Sequence, residues 1–170
     1  PEVMMVGEIR SKETAEIALR SSITGHLIFS TLHTTDSPSA MIRLMDMGVE
    51  PYMLSAGVIG VISQRLVRTL CPKCKRQVET HDDYFDIHGD TFEPVGCPHC
   101  DSGYIGREAV FELLILSETV RSLIKPGVTL DALRSEEIKE GMVSLRESLR
   151  KKIIDGTTGM EEAYRTIMTL

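Results

Sequence analysis

The sequence predicts an α/β fold, and three observations carry that prediction. Short apolar runs that read as strands alternate with longer segments whose apolar residues recur at helical spacing. Ser, Thr and Asp stand before the helical segments and Gly stands after them, where caps and stops belong. The resulting order of strand, helix, strand, helix is that of a largely parallel sheet with helices against it.

The elements follow in order. Val3-Met4-Met5-Val6 is an apolar run and reads as a buried strand. Ser11 can cap a helix over residues 12–23, whose first turn carries Glu13 and whose body is rich in Ala, with Thr24-Gly25 as its stop. Residues 26–32 are apolar with β-branched and aromatic members and predict a second strand. Asp36 is placed to cap a helix that ends near Gly48, and apolar spacing predicts a further helix from Pro51 to about Val67. Residues 71–100 change character: Asp, Lys, Pro and His increase and the apolar residues scatter. So small an insert has no core of its own, and a bound metal would supply its folding energy. Residues 109–116 predict a strand. The remainder reads as amphipathic helices capped by Ser117, Thr129 and Ser144 and stopped by Gly141 and Gly156. Thr158 and Glu161 have the spacing of a capping box.

Composition narrows the function classes. An apolar share of 42% in 170 residues is enough for a buried core. A net charge of −6 argues against a general nucleic-acid binder, because phosphate backbones reward an excess of Lys and Arg. Aromatic residues at 5% leave few rings for base stacking, which also weakens a zinc-ribbon nucleic-acid reading. No apolar run approaches the roughly 20 residues that span a bilayer. The N-terminus has no signal-peptide pattern, so the expected location is the cytoplasm. The chain opens at Pro1 directly into a strand and reads as an excised piece of a longer protein.

The cysteines are the first specific signal. Cys71 and Cys74 form one C-x-x-C and Cys97 and Cys100 another, with twenty-two residues between the pairs. That is close to the spacing of zinc knuckles, in which four thiolates surround one Zn²⁺ tetrahedrally. Pro72 and Pro98 follow the first Cys of each pair and suit a tight turn. Two disulfides or four unrelated thiols are the alternatives, and a reducing cytoplasm disfavours the first. His99 can replace one sulfur. His81 and His88 lie between the pairs and read as exposed.

Other candidates lie at strand ends. Glu8 follows an apolar strand and a glycine, and ligands of α/β sheets gather at the carboxyl ends of strands. A carboxylate there can support Mg²⁺ through water or orient a water that attacks a nucleotide. Position alone leaves an ordinary surface charge equally open. His26 and His33 bracket the second strand, and hydroxyls cluster with the imidazole in Thr31-Leu32-His33-Thr34-Thr35. The cluster suits phosphate oxygens, and it also suits a polar strand end entering a turn. Arg10, Arg43, Arg65, Arg68 and Arg107 can each meet a phosphate or one of the 25 acidic residues. No G-x-x-x-x-G-K-[ST] phosphate loop occurs anywhere in the chain.

Taken together, several segments resemble the type II secretion and type IV pilus assembly ATPase family. They are Val3-Met4-Met5-Val6-Gly7-Glu8-Ile9-Arg10, Glu13-Thr14-Ala15-Glu16, Thr24-Gly25-His26-Leu27 and Ser30-Thr31-Leu32-His33-Thr34. The first looks like that family's Walker B motif and the later ones like its histidine box. Gln64-Arg65-Leu66-Val67-Arg68, the paired cysteines, Gly103-Tyr104, Gly106-Arg107 and Glu112 are similar to the stretch that follows. Gly141-Met142, Leu145, Gly156 and Glu161-Glu162 are similar to its C-terminal helices.

The resemblance covers nearly the whole chain. It implies the C-terminal part of a RecA-like ATPase core with an inserted four-cysteine zinc module and a C-terminal helical subdomain. The implied divisions are residues 1–69 for the core, 70–108 for the zinc module and 109–170 for the helices. It implies a hexamer peripheral to the cytoplasmic face of the inner membrane. Its implied partners are an inner-membrane platform protein and cytoplasmic assembly proteins, with ATP and Mg²⁺ used by the full-length parent.

Carried to this chain, the resemblance makes Glu8 the Walker B glutamate. It places His26 and His33 near the γ-phosphate and a subunit contact, and Arg10, Arg43 and Arg107 toward nucleotide or a neighbouring subunit. Cys71, Cys74, Cys97 and Cys100 become ligands of a structural Zn²⁺, a module that favours the secretion and pilus-extension branch over the retraction branch. The phosphate loop and the acidic box with the general base are expected upstream, so this stretch alone is expected to be inactive. A zinc-stabilised module that binds the platform protein without turnover of its own is the alternative.

Overall fold

The computed structural model describes residues 1–168. The chain forms two compact units, each assembled from two stretches of sequence. The first comprises Pro1–Ser63 and Leu113–Met142, and the second comprises Gln64–Glu112 and the segment from Val143 onward.

The first unit begins with strand β1 (Val3–Val6), helix α1 (Lys12–Ile23) and strand β2 (Leu27–Ser30). The strands pair in parallel, with Val3 opposite Leu27 and Val6 opposite Ser30. Ser11 starts α1 as expected, its hydroxyl accepting from the Thr14 N–H. Gly25 ends it with φ at +103°, and the His26 N–H returns to the Ser21 carbonyl at 3.1 Å. That closing turn needs a left-handed residue and aims the chain into β2. β1 is a strand but is not buried on both faces. Met4 and Val6 are partly covered, whereas Val3 and Met5 face outward, as a period of two requires.

Helices α2 (Ser37–Asp46), α3 (Pro51–Gly57), α4 (Glu118–Leu123) and α5 (Leu130–Lys139) complete this unit. Asp36 caps α2 by accepting from the Ser39 N–H at 2.9 Å, and it is ion-paired with Arg134 of α5. Ala15, Leu19, Met41, Leu44, Met53, Leu54, Leu114, Val120 and Leu133 form the core. Removing such residues from water is the main driving force available to the unit.

The helix predicted from Pro51 to about Val67 is corrected. α3 stops at Gly57, and strand β3 (Gly60–Leu70) follows. Two contacts distant in sequence take up the carbonyls left at the helix end. The Ser22 hydroxyl donates to the Gly57 carbonyl at 2.7 Å, and the Arg121 guanidinium donates to the Ser55 and Val58 carbonyls. A Cβ at Gly60 would lie 2.8 Å from the Leu114 carbonyl oxygen, so the strand needs a glycine there. Arg121→Ala should strand both carbonyls and destabilise this unit by about 2 kcal/mol. Chemical denaturation that follows the first unit would read the loss.

The second unit contains strands β4 (Arg76–Asp82) and β5 (Ile87–Glu93) and helices α6 (Leu145–Ile154) and α7 (Met160–Met168). β4 and β5 form an antiparallel hairpin with Arg76 opposite Glu93 and Asp82 opposite Ile87. The insert is therefore better ordered than its scattered apolar residues predict. Phe85 and Ile87 join Val67, Val110, Leu145, Leu149, Ile153 and Ala163 in one core, so the insert shares apolar burial with the C-terminal helices. The Asp82 carboxylate accepts from the Phe85 N–H at 2.8 Å and from the Tyr164 hydroxyl at 2.5 Å.

Strand β6 (Tyr104–Ile115) starts five residues before its predicted position; it pairs with β3, and each of these strands contributes residues to both units. Ser117, Thr129 and Ser144 cap α4, α5 and α6 as predicted. Buried Glu112 also accepts from the Leu145 N–H at 2.9 Å, which gives the first turn of α6 a partner. The capping box at Thr158 is not formed: α7 begins at Met160 and its first bond goes to the Gly159 carbonyl, so Thr158 lies before the cap position and its hydroxyl donates to the Arg68 carbonyl at 2.8 Å. The Glu162 carboxylate is 1% exposed and receives the Arg68 N–H, the Arg68 guanidinium and the Arg165 guanidinium. Burial acts to raise its pKa, but those donors outweigh it and hold the group below its ordinary value. Among the described residues, no helix is long and apolar enough to cross a membrane.

Candidate functional site

Because β1 and β2 run in parallel, the segments leaving their carboxyl ends emerge side by side. Gly7-Glu8-Ile9 leaves β1 and Thr31-Leu32-His33 leaves β2. The Thr31 hydroxyl donates to the Gly7 carbonyl at 2.7 Å, and the Ile9 N–H donates to the Thr31 carbonyl at 3.0 Å. These bonds extend the sheet contact past the last paired residues and bring the two side chains together. Glu8 Oε1 lies 3.0 Å from His33 Nε2, and Glu8 Oε2 lies 2.5 Å from the Arg10 guanidinium.

The Arg10 hydrogen bond and charge hold the Glu8 carboxyl below its ordinary range against a smaller opposing effect of burial, with His33 acting in the same sense. Glu8 is therefore an anion at neutral pH. The arrangement joins a carboxylate, an imidazole and a guanidinium at the carboxyl ends of parallel strands, where α/β folds bind ligands. Such a set can hold a water-coordinated cation beside an anionic group.

The structure does not bring every candidate to this point. His26 precedes β2, at the opposite end of the strand from His33, and its Nδ1 lies 3.1 Å from the Ser21 carbonyl. Arg43 is exposed in the last turn of α2. Arg107 is exposed on β6 and belongs to the second unit. Thr31 is the participant whose role the sequence could signal only as one hydroxyl in a cluster. Its bond to Gly7 depends on the strand register.

The four cysteines converge in the second unit. Their sulfurs all lie within 4.8 Å of one another. Cys71 and Cys97 are 4.0 Å apart, while the Cys74–Cys100 and Cys97–Cys100 pairs are each 3.7 Å apart. A tetrahedral ion with sulfurs at about 2.3 Å places them roughly 3.8 Å from each other, whereas a disulfide needs about 2.0 Å. The sulfur set therefore fits one tetrahedral metal ion, and the cysteines are free thiols.

Backbone donors support the knuckles. The Cys97 N–H donates to Cys100 Sγ at 3.3 Å, and the Cys74 N–H donates to the Cys71 carbonyl at 3.2 Å. Burial pushes the Cys74 thiol up to about 11. At Cys100 burial acts in the same direction, but the N–H groups of Cys97 and Gly103 and neighbouring thiols bring the value down to about 7. Gly103 has φ at +90°, and a Cβ there would lie 2.5 Å from Pro94 Cβ. The turn behind the second knuckle thus requires glycine on two counts.

Fold and site together define the class as a mixed α/β fold similar to that of motor ATPases. The crystal structure of the pilus retraction motor PilT with bound ADP matches 98% of this chain and 39% of its own, at a TM-score of 0.68 and 28% identity. The profile of the family described as Type II/IV secretion system protein matches residues 1–165, and the chain belongs to that family. The type IV pilus assembly ATPase TfpB of Acinetobacter baylyi is 41% identical over 177 residues, covering 98% of this chain and 30% of that protein. The type II secretion system protein E of Dickeya dadantii is 41% identical over 171 residues, covering 97% of this chain and 34% of that protein. The chain spans about a third of the length of these curated relatives.

Proposed function

We propose that this chain is the C-terminal part of a hexameric ATPase that drives type II secretion or type IV pilus assembly from the cytoplasmic face of the inner membrane. The observation that supports this most directly is the Glu8–His33 pair at the carboxyl ends of adjacent parallel strands, 3.0 Å apart. It lies in a chain 41% identical to a protein named a type IV pilus assembly ATPase.

In this reading Glu8 supports Mg²⁺ and its water, and His33 meets the terminal phosphate through a hydrogen bond. When bound, Mg²⁺ neutralises charge on the phosphates. Arg10 is ion-paired with the Glu8 carboxylate until nucleotide competes for the guanidinium. His26, at the far end of β2, serves a subunit contact, and Arg43 and Arg107 extend toward nucleotide or a neighbouring subunit. Cys71, Cys74, Cys97 and Cys100 hold a structural Zn²⁺. Functionally, residues 1–69 belong to the ATPase core, 70–108 to the zinc module and 109–170 to the helical subdomain. The partners are other copies of the protein, an inner-membrane platform protein and cytoplasmic assembly proteins.

Phosphate release by the full-length protein and by the 170-residue stretch tests the assignment. The full-length protein should turn over ATP, and the stretch alone should not, because it contains no phosphate loop to hold the substrate. Absence of turnover by the full-length protein would overturn the ATPase reading. Turnover by the stretch alone, abolished by Glu8→Gln, would show that its site is complete without that loop.

A further inference from the structure

The hairpin between the cysteine pairs carries a second constellation, on the face turned away from its core. Ile87 and Thr91 point inward and are buried, and the Thr80 and Thr91 hydroxyls meet at 2.6 Å. On the other face Gln77, Glu79, His81, His88 and Asp90 are exposed, while Phe92 packs beside Gly156. Among them His81 on β4 stands directly opposite His88 on β5, and Glu79 stands opposite Asp90 one step further along. The two imidazole rings lie 5.8 Å apart between centroids, tilted by 40°. Glu79 Oε1 is 3.5 Å from His81 Nε2, and Asp86 Oδ1 is 3.6 Å from His88 Nε2.

We infer that His81 and His88 form a second metal site, separate from the four cysteines, that takes a borderline divalent cation such as Ni²⁺, Cu²⁺ or Zn²⁺. The geometry supports this in three ways. Two imidazoles on one tetrahedral cation, with metal–nitrogen bonds of about 2.1 Å, have ring centres roughly 5 Å apart. The observed 5.8 Å is somewhat wider, and binding requires the rings to turn, because the two Nε2 atoms lie beside carboxylates on opposite sides of the pair. Both rings are more than half exposed, so neither must leave a packed environment to turn. Glu79, Asp86 and Asp90 surround the pair with negative charge, which favours a cation. The Gln77 amide holds the Asp90 carboxylate at 2.6 Å.

Imidazole donors select Ni²⁺, Cu²⁺ and Zn²⁺ over the hard cations that prefer oxygen. Water completes the coordination, because among the described residues no carboxylate oxygen groups with both imidazoles within ligand range. A cation held here cross-links β4 to β5 by a route independent of the cysteines that flank the hairpin.

The test uses the chain with its cysteine site first loaded with Zn²⁺ and the excess dialysed away. Titration calorimetry then follows the addition of Ni²⁺. One further equivalent of Ni²⁺ should bind, and His81→Gln and His88→Gln should each weaken that step about tenfold or more. Both positions are exposed, and glutamine keeps them polar, so the fold should be retained. Circular dichroism on the same samples checks this. Zinc content is read separately by elemental analysis. Failure of the four-cysteine assignment would appear as absent zinc with the nickel step intact. The inference is overturned if the double variant binds Ni²⁺ as the unaltered chain does, or if the unaltered chain binds no Ni²⁺.

Discussion

Cys97→Ser should abolish stoichiometric zinc binding and loosen the second unit as a whole, while the first unit keeps its protection. One zinc per chain at the four cysteines is expected before the substitution. A serine hydroxyl is a poor replacement for a thiolate, and structural zinc in small modules is worth on the order of 10 kcal/mol of apparent binding free energy. The loss should not stay within the insert. Phe85 and Ile87 share their core with Leu145, Leu149 and Ile153 of α6 and Ala163 of α7. When the knuckles open, that packing loosens with them. Hydrogen exchange should therefore rise in β4, β5, α6 and α7, with β1, α1 and β2 much less affected. Elemental analysis that finds no zinc in the unaltered chain would remove the metal. Faster exchange confined to residues 71–100 would show that the shared core holds without it.

Glu8→Gln in the full-length protein should lower ATP turnover on the order of a hundredfold or more and leave nucleotide affinity far less changed. The amide keeps the shape of the carboxylate but loses the charge that supports Mg²⁺ and its water. His33→Ala should cause a smaller loss, because the imidazole supplies a hydrogen bond and no metal-neutralising charge. If His33 only secures the end of β2, that variant will melt at lower temperature with normal turnover per folded molecule. Measuring both quantities on one sample separates the two roles. The pH dependence has a definite sign. The folded-state pKa of Glu8 is lowered by Arg10 and His33, so the group contributes stability above its unfolded value. That contribution disappears as pH falls through the lowered folded value.

Local pattern specifies much of this molecule. Ser11, Asp36, Ser117, Thr129 and Ser144 each accept from the helix N–H that their position predicts. Capping is a contact between residues three apart, and local sequence specifies it. The cysteine spacing announces a four-sulfur cluster for a similar reason, since each knuckle is a local turn. The Glu8–His33 pair is visible in the sequence as two polar residues at the ends of two apolar runs. Their approach to 3.0 Å becomes definite only once the runs are paired in parallel and in register.

The departures from expectation share a cause. Residues 51–67 have apolar spacing compatible with a helix, yet α3 ends at Gly57 because Ser22 and Arg121 satisfy the carbonyls at its end. Arg121 lies over sixty residues away in sequence, and nothing near position 57 points to it. Thr158 has the spacing of a cap, but its hydroxyl goes to the Arg68 carbonyl. The insert gains a hairpin core because α6 and α7 supply the other half of it. The sequence by itself determined the helix starts, the glycine stops, the metal-type cysteine set and the family, all of which rest on short-range pattern or motif order. Tertiary structure alone decided where α3 yields to β3, what covers the insert and which polar groups share the end of the parallel strands. Those outcomes depend on partners distant in sequence, and a buried carbonyl or an open apolar face is satisfied by whichever partner the fold brings within reach.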